Sequence, residues 1–119
     1  MINKIGFISY TVSNLQQSIK FYQNLLELEL LLKDDRWAEF IISGQRFAIY
    51  EKPNGAIMDD QSVAIVYFEA NPIENIFKDL HVKGVKFRGE IEVYTYGKII
   101  LFSDPDNNSL GLYELPDKE

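Results

Sequence analysis

The chain of 119 residues has no cysteine, one histidine and one tryptophan. Without cysteine there are no disulfides, no thiolate nucleophiles and no cysteine-ligated zinc or iron–sulfur centres. The lone histidine, His81, cannot supply a multi-histidine metal site within the chain. Positive charge is scarce as well: 12 Lys and Arg against 18 Asp and Glu give a formal charge of −6. A phosphate-tracking surface would have to be built against that field, so nucleic acid is not an expected partner. No apolar run approaches the roughly 20 residues of a membrane span. The opening MINKIGFISYTV also lacks the basic region, apolar core and cleavage site of a secretory signal. These absences imply a cytoplasmic protein with no membrane partner. What is there, 46% hydrophobic and 13% aromatic residues, suffices for one domain over 1–119.

Residues 4–12 (KIGFISYTV) are β-branched and aromatic and predict a strand covered on both faces. Ser13 with Gln16, or Asn14 with Gln17, has capping-box spacing, and Leu15, Ile19, Tyr22 and Leu26 then form a helical stripe. Residues 29–33, 36–43 and 46–51 read as short strands separated by Asp34-Asp35 and by Ser43-Gly44-Gln45. Module one, residues 4–52, is therefore strand, helix, three strands. Pro53, Asn54, Gly55 and a pair of aspartates mark residues 53–61 as a linker.

The same order repeats in module two, residues 62–115. A strand over 62–69 precedes a helix that Asn71 is expected to cap, with Pro72 at its first position and the stripe Ile73, Ile76, Phe77, Leu80. Gly84 closes that helix, strands follow over 85–88 and 96–103, and Asp104 to Asn108 turn the chain into a last strand over 109–115. Ala48-Ile49-Tyr50-Glu51 ends the first half and Gly111-Leu112-Tyr113-Glu114 the second, a match in sequence as well as in order.

Val12-Ser13-Asn14-Leu15, Ser18-Ile19, Phe21-Tyr22, Leu25-Leu26 and the Asp104-Pro105-Asp106-Asn107-Asn108 turn together resemble the vicinal oxygen chelate superfamily of glyoxalases, bleomycin-resistance proteins and dioxygenases. The resemblance spans nearly the whole chain. It departs from the pattern at Glu27 and Asn107, where the family favours glycine; Asn tolerates the left-handed conformation better than most residues. The fold it implies is α+β, two βαβββ modules forming curved mixed sheets around a cavity, with helices outside. Homodimerisation is a further implication.

Relatives that do metal chemistry place up to four His, Glu or Gln ligands on the first and last strands of each module. Counting five residues back from Val12 reaches Phe7, and the equivalent count from Phe68 reaches Val63. Counting seven on from Asp104 reaches Gly111, and the internal repeat assigns Ala48 as its partner. None of the four has a side-chain donor atom, and a one-residue slip substitutes neighbours such as Gly6 or Ile8, Ala64, Ile49 and Leu112, which do not coordinate through their side chains. Glu51 and Glu114 lie three residues from their ligand positions, on the opposite strand face. No metal and no other cofactor is therefore expected.

Strand alternation then defines the expected lining: Phe7 and Ser9 from the first strand, Arg46, Ala48 and Tyr50, Val63 with Ile65 and Tyr67, and Ser109, Gly111 and Tyr113. Trp37 either floors the cavity or fills a subunit interface. Tyrosines can stack on a planar ligand and orient it, or simply pack on one another. Arg46 can hold an anion through two parallel hydrogen bonds, or pair with Glu39 or Glu51 at a strand end. His81 reads as a surface group at a helix end. Ser9, Ser103 and Ser109 lack the adjacent base a nucleophile needs, and Asp104 and Asp106 belong to a turn. The favoured function is a metal-independent binding protein for a small aromatic or cationic molecule. The alternatives are a metal-free lyase or isomerase using Tyr, Arg or Glu, and a regulatory module with a filled cavity.

Overall fold

A computed structural model describes residues 1–2, 5–53 and 65–116. The chain divides into two units, 1–61 and 62–119, each with its own sheet and helix. Unit one contains β1 (Ile8–Val12), α1 (Leu15–Lys20) continuing into a π-helical turn over Phe21–Leu25, β2 (Glu29–Lys33), β3 (Trp37–Ile42) and β4 (Gln45–Glu51). Unit two contains β5 (Val66–Glu69), α2 (Ile73–Val82), β6 (Lys86–Tyr94), β7 (Gly97–Ser103) and β8 (Ser109–Glu114). The sheets have equivalent orders, β1-β4-β3-β2 and β5-β8-β7-β6, with the first pair parallel and the others antiparallel. The fold is thus α+β, two βαβββ modules with mixed sheets.

The helices start by equivalent means. Asn14 is the side-chain cap of α1, its Oδ1 accepting from Gln17 N at 3.0 Å. Glu51, at the end of β4, reaches back to accept from Leu15 N at 2.7 Å. Glu114, its repeat equivalent at the end of β8, accepts from Ile73 N at 2.8 Å. Asn71 was the expected cap of α2, but Pro72 holds the cap position without a side-chain bond, and the carboxylate from β8 takes the free donor.

The first helix ends differently from a simple α-helical stripe. Its final turn widens, with Leu26 N donating to Phe21 O at 3.1 Å, which turns Phe21 as well as Tyr22 into the core. The chain then passes Glu27 at φ +60°, and Asn107 in the Asp104 turn sits at +66°. Both departures from the family glycine pattern therefore adopt the left-handed conformation. Gly84, at φ +98°, closes α2, where Val85 N donates to Leu80 O and Gly84 N to His81 O, both at 3.0 Å.

Strand boundaries differ from expectation by more than one residue at three places. Pairing of β1 with β4 begins only at Ile8 opposite Phe47, so the strand expected from Lys4 starts later; Lys4 itself lies outside the described residues. The described part of the strand expected over 62–69 begins at Val66, and positions 62–64 again lie outside. The strand expected to stop at Arg88 runs on to Tyr94. Gly89, at φ +78°, is absorbed where the pairing register shifts between Arg88 and Glu92, and Thr95-Tyr96 alone make the turn into β7.

Candidate functional site

The helix side of each sheet is fixed by its aromatic contacts. Tyr22 packs on Phe40 and Phe47 at 5.8 and 5.2 Å between ring centroids, and in unit two Phe77 meets Phe87 at 4.7 Å, which meets Phe102 at 5.6 Å. Alternate residues on these strands consequently occupy the opposite, helix-free face.

On the helix-free face of unit one, cross-strand pairing sets Trp37 beside Tyr50, Glu39 beside Ala48, Ile41 beside Arg46, and Ser9 beside Ala48. The Phe7 ring meets Trp37 edge-on at 5.6 Å, and Trp37 lies 6.2 Å from Tyr50. Arg46 places its guanidinium 5.5 Å from the Phe7 centroid. It also clamps Glu39, Nε donating to Oε1 and Nη2 to Oε2, each at 2.8 Å. Trp37 Nε1 donates to the same carboxylate at 2.8 Å. Glu39 is only 5% exposed, so this is a desolvated anion held by an indole and a guanidinium. The Trp37 bond, joined by the bonds and charge of Arg46, outweighs burial and holds the carboxyl below its ordinary range. Of the two readings of Arg46, pairing with Glu39 is the one the geometry displays, in bidentate form.

On the helix-free face of unit two, Tyr67 pairs with Gly111. A Cβ on Gly111 would lie 2.4 Å from Tyr67 Cδ1, so the ring fills the space a side chain at 111 would need. Tyr113 covers Gly97 in the same manner, and its hydroxyl donates to Tyr96 O at 2.8 Å. Arg88 crosses this face, donating through Nε to Ser103 Oγ and through Nη1 to Ser109 Oγ, both at 2.8 Å. Both serine hydroxyls thus accept from a guanidinium, with no base among these contacts to activate them.

Phe7, Ser9, Trp37, Arg46, Ala48 and Tyr50 therefore share one face in unit one, and Tyr67, Ser109, Gly111 and Tyr113 one face in unit two. Val63 lies outside the described residues. His81 is exposed at the end of α2, its ring 5.7 Å from that of Phe77. Asp104 is turned inward, accepting from Asp106 N at 2.9 Å and Asn108 N at 2.8 Å, a structural use of the turn carboxylate.

Glu39 and Arg88, which organise the hydrogen bonds of these faces, were not among the expected lining. Glu39 was noted only as a surface partner of Arg46, although it stands two residues after Trp37 inside the otherwise apolar run Trp37-Ala38-Glu39-Phe40-Ile41-Ile42. That alternation was the available signal. Arg88 escaped because its partners come from β7 and β8, a pairing no local pattern displays.

The donor set does not fit a chelated metal. Phe7 at one family ligand position is an aromatic partner of Trp37 and Arg46, Ala48 is fully buried beside Glu39, and Gly111 is covered by Tyr67. Among the described residues no three His, Cys, Asp or Glu side chains are grouped to hold an ion. Glu51 and Glu114 are engaged as helix caps.

A duplicated βαβββ unit whose helix-free sheet faces carry the polar and aromatic groups defines a class of protein. The chain belongs to the Glyoxalase/Bleomycin resistance protein/Dioxygenase superfamily, whose family model matches residues 4–112. It is 28% identical over 117 residues to the metallothiol transferase FosB of Staphylococcus saprophyticus, covering 95% of this chain and 78% of that one. It is 27% identical over 119 residues to the catechol-2,3-dioxygenase of Bacillus subtilis, covering 92% of this chain but only 40% of that enzyme. Among solved structures, the fosfomycin resistance protein FosX of Listeria monocytogenes, complexed with Mn(II) and sulfate, superposes with a TM-score of 0.79 at 21% identity, covering 98% and 93% of the two chains. A glyoxalase/dioxygenase from Nostoc punctiforme gives 0.80 at 18% identity, covering 96% and 92%. These likenesses carry the fold. No helix among the described residues is long and apolar enough to cross a membrane.

Proposed function

We propose that this protein binds a small aromatic or cationic molecule without a metal, and holds it rather than converting it. The observation that carries the reading is the filling of the family's chelating positions by packed side chains, the Tyr67 ring against Gly111 above all. Aromatic rings with a few polar tips remain on the helix-free faces, the usual lining of an organic-ligand site. A metal-free enzyme is less well supported. Glu39 is held ionised with both oxygens engaged, and a general base needs a pKa near the working pH.

The reading includes a cytoplasmic homodimer. Leu31 and Leu32, each 46% exposed on the edge strand β2, offer apolar surface that self-association would cover. Titration of an organic panel, followed by amide and indole NMR shifts, tests the binding reading. Saturable shifts at Trp37, Tyr50, Tyr67 or Gly111 with unchanged ligand are expected. A panel member consumed with turnover would overturn it in favour of an enzyme.

A further inference from the structure

The β6–β7 hairpin carries a cluster that none of the site assignments above uses. Tyr94 and Tyr96 stack face to face, centroids 4.9 Å apart and planes within 4°. Tyr94 pairs with Gly97, and Glu92 with Ile99, so their side chains share the helix-free face of unit two with Tyr67 and Tyr113. The Tyr94 hydroxyl donates to Glu92 Oε1 at 2.5 Å. Tyr67, Tyr94 and Tyr96 remain 41%, 41% and 56% exposed, a large aromatic area to leave in water.

The charges around this cluster are one-sided. Of the bases on this face, Lys86 stands opposite Ser103 at the far end of β6, and Arg88 is committed to Ser103, Ser109 and Asn107. Lys98 pairs with Val93, one residue out of phase with this face, and reaches Glu74 at 2.9 Å. The hairpin end thus offers tyrosine π-faces and a carboxylate. The bond to Glu92 raises the Tyr94 pKa above its ordinary value, with burial and nearby charge adding to it, so the phenol stays a neutral donor. π-Faces beside a carboxylate attract a soft cation and repel an anion.

From this geometry we infer that Tyr94, Tyr96 and Glu92 form a subsite for an organic ammonium group, quaternary or protonated. The inference rests on the small-molecule reading above and names the chemistry its ligand presents to unit two. The subsite recognises the ammonium through the outer faces of the tyrosine stack and the carboxylate of Glu92.

The test is a comparison of choline with 3,3-dimethylbutan-1-ol, its neutral carbon isostere, followed by amide shifts over residues 92–97 and by the indole of Trp37, the only tryptophan. Choline is expected to shift residues 92–97 saturably, and the isostere at least about threefold more weakly. Tyr96→Leu and Glu92→Gln, both at exposed positions, are each expected to weaken choline about threefold to fivefold while the rest of the spectrum is preserved. Equal shifts from the two compounds, or no shifts at 92–97, would overturn the inference. Shifts confined to Trp37 and its neighbours would overturn this subsite and leave the broader binding reading standing. That broader reading fails separately, if a panel member is turned over.

Discussion

Replacing Gly111 by alanine, alone and together with Tyr67→Ala, measures directly whether the tyrosine ring occupies the chelating position. The new Cβ would stand 2.4 Å from Tyr67 Cδ1 and 2.5 Å from Cε1, so the ring must swing away. If it gives up on the order of 50 Å² of apolar contact, the loss at about 25 cal/mol per Å² is roughly 1.3 kcal/mol. An alanine in a strand regains about 0.5–1 kcal/mol over glycine. Gly111→Ala is therefore expected to be mildly destabilising in the native background, and to become stabilising by about 0.5–1 kcal/mol once Tyr67→Ala has removed the ring. Urea unfolding of the four proteins, followed by circular dichroism, gives the coupling energy, expected near 1.3 kcal/mol. Additivity within about 0.3 kcal/mol would refute the contact and with it the filled-position argument.

Glu39 offers a second test. Arg46→Met leaves a buried carboxylate with Trp37 as its remaining side-chain donor and is expected to destabilise by about 1–2 kcal/mol, discounted because the arginine is itself partly exposed. Because the Glu39 pKa is depressed, its stabilising contribution is present above the ordinary carboxylate value of 4.5 and is lost as pH falls through the lower folded value. Glu39→Gln should flatten the acid limb of a stability–pH curve, and an unchanged limb would contradict the pairing. Glu51→Ala and Glu114→Ala should each remove about 1 kcal/mol, with hydrogen exchange accelerating in α1 for the first and in α2 for the second. Loss of protection in both helices from either change would contradict separate caps. Ser43→Asn should raise stability by about 0.5 kcal/mol, since Ser43 and Gly44 sit at φ +49° and +80° in the two-residue turn between β3 and β4. A lowered unfolding midpoint would count against that turn geometry.

Much of the architecture was legible because it is written in local periodicity. The helical stripe from Leu15, the glycine stop at Gly84 and the Asp104 turn each rest on residues close in sequence. The exact span Glu29–Lys33 followed from the aspartates that end it. What escaped depends on partners distant in the chain. The cap of α2 comes from Glu114, 41 residues away, so Asn71 looked sufficient by itself. The continuation of β6 past Gly89 is enforced by its ladder with β7, which overrides glycine's tendency to break a strand. The stack of Tyr94 on Tyr96 was hidden for the same reason, because Tyr94 fell in the connection after Arg88 while Tyr96 read as the start of the next strand. At the candidate site, alternation placed Arg46 beside an apolar surface, but the clamp on Glu39 needed the β3–β4 register before it could be seen.

The proposed binding proceeds without a metal. Its most direct test is the metal content of protein purified without chelator, measured beside thermal shifts with divalent ions, with choline and with the organic panel, before and after chelator treatment. No stoichiometric metal, no ion-dependent gain in Tm, and stabilisation by an organic ligand that survives chelation are expected. Stoichiometric metal with a Tm gain that chelator abolishes would contradict it and restore a chelating site to this fold.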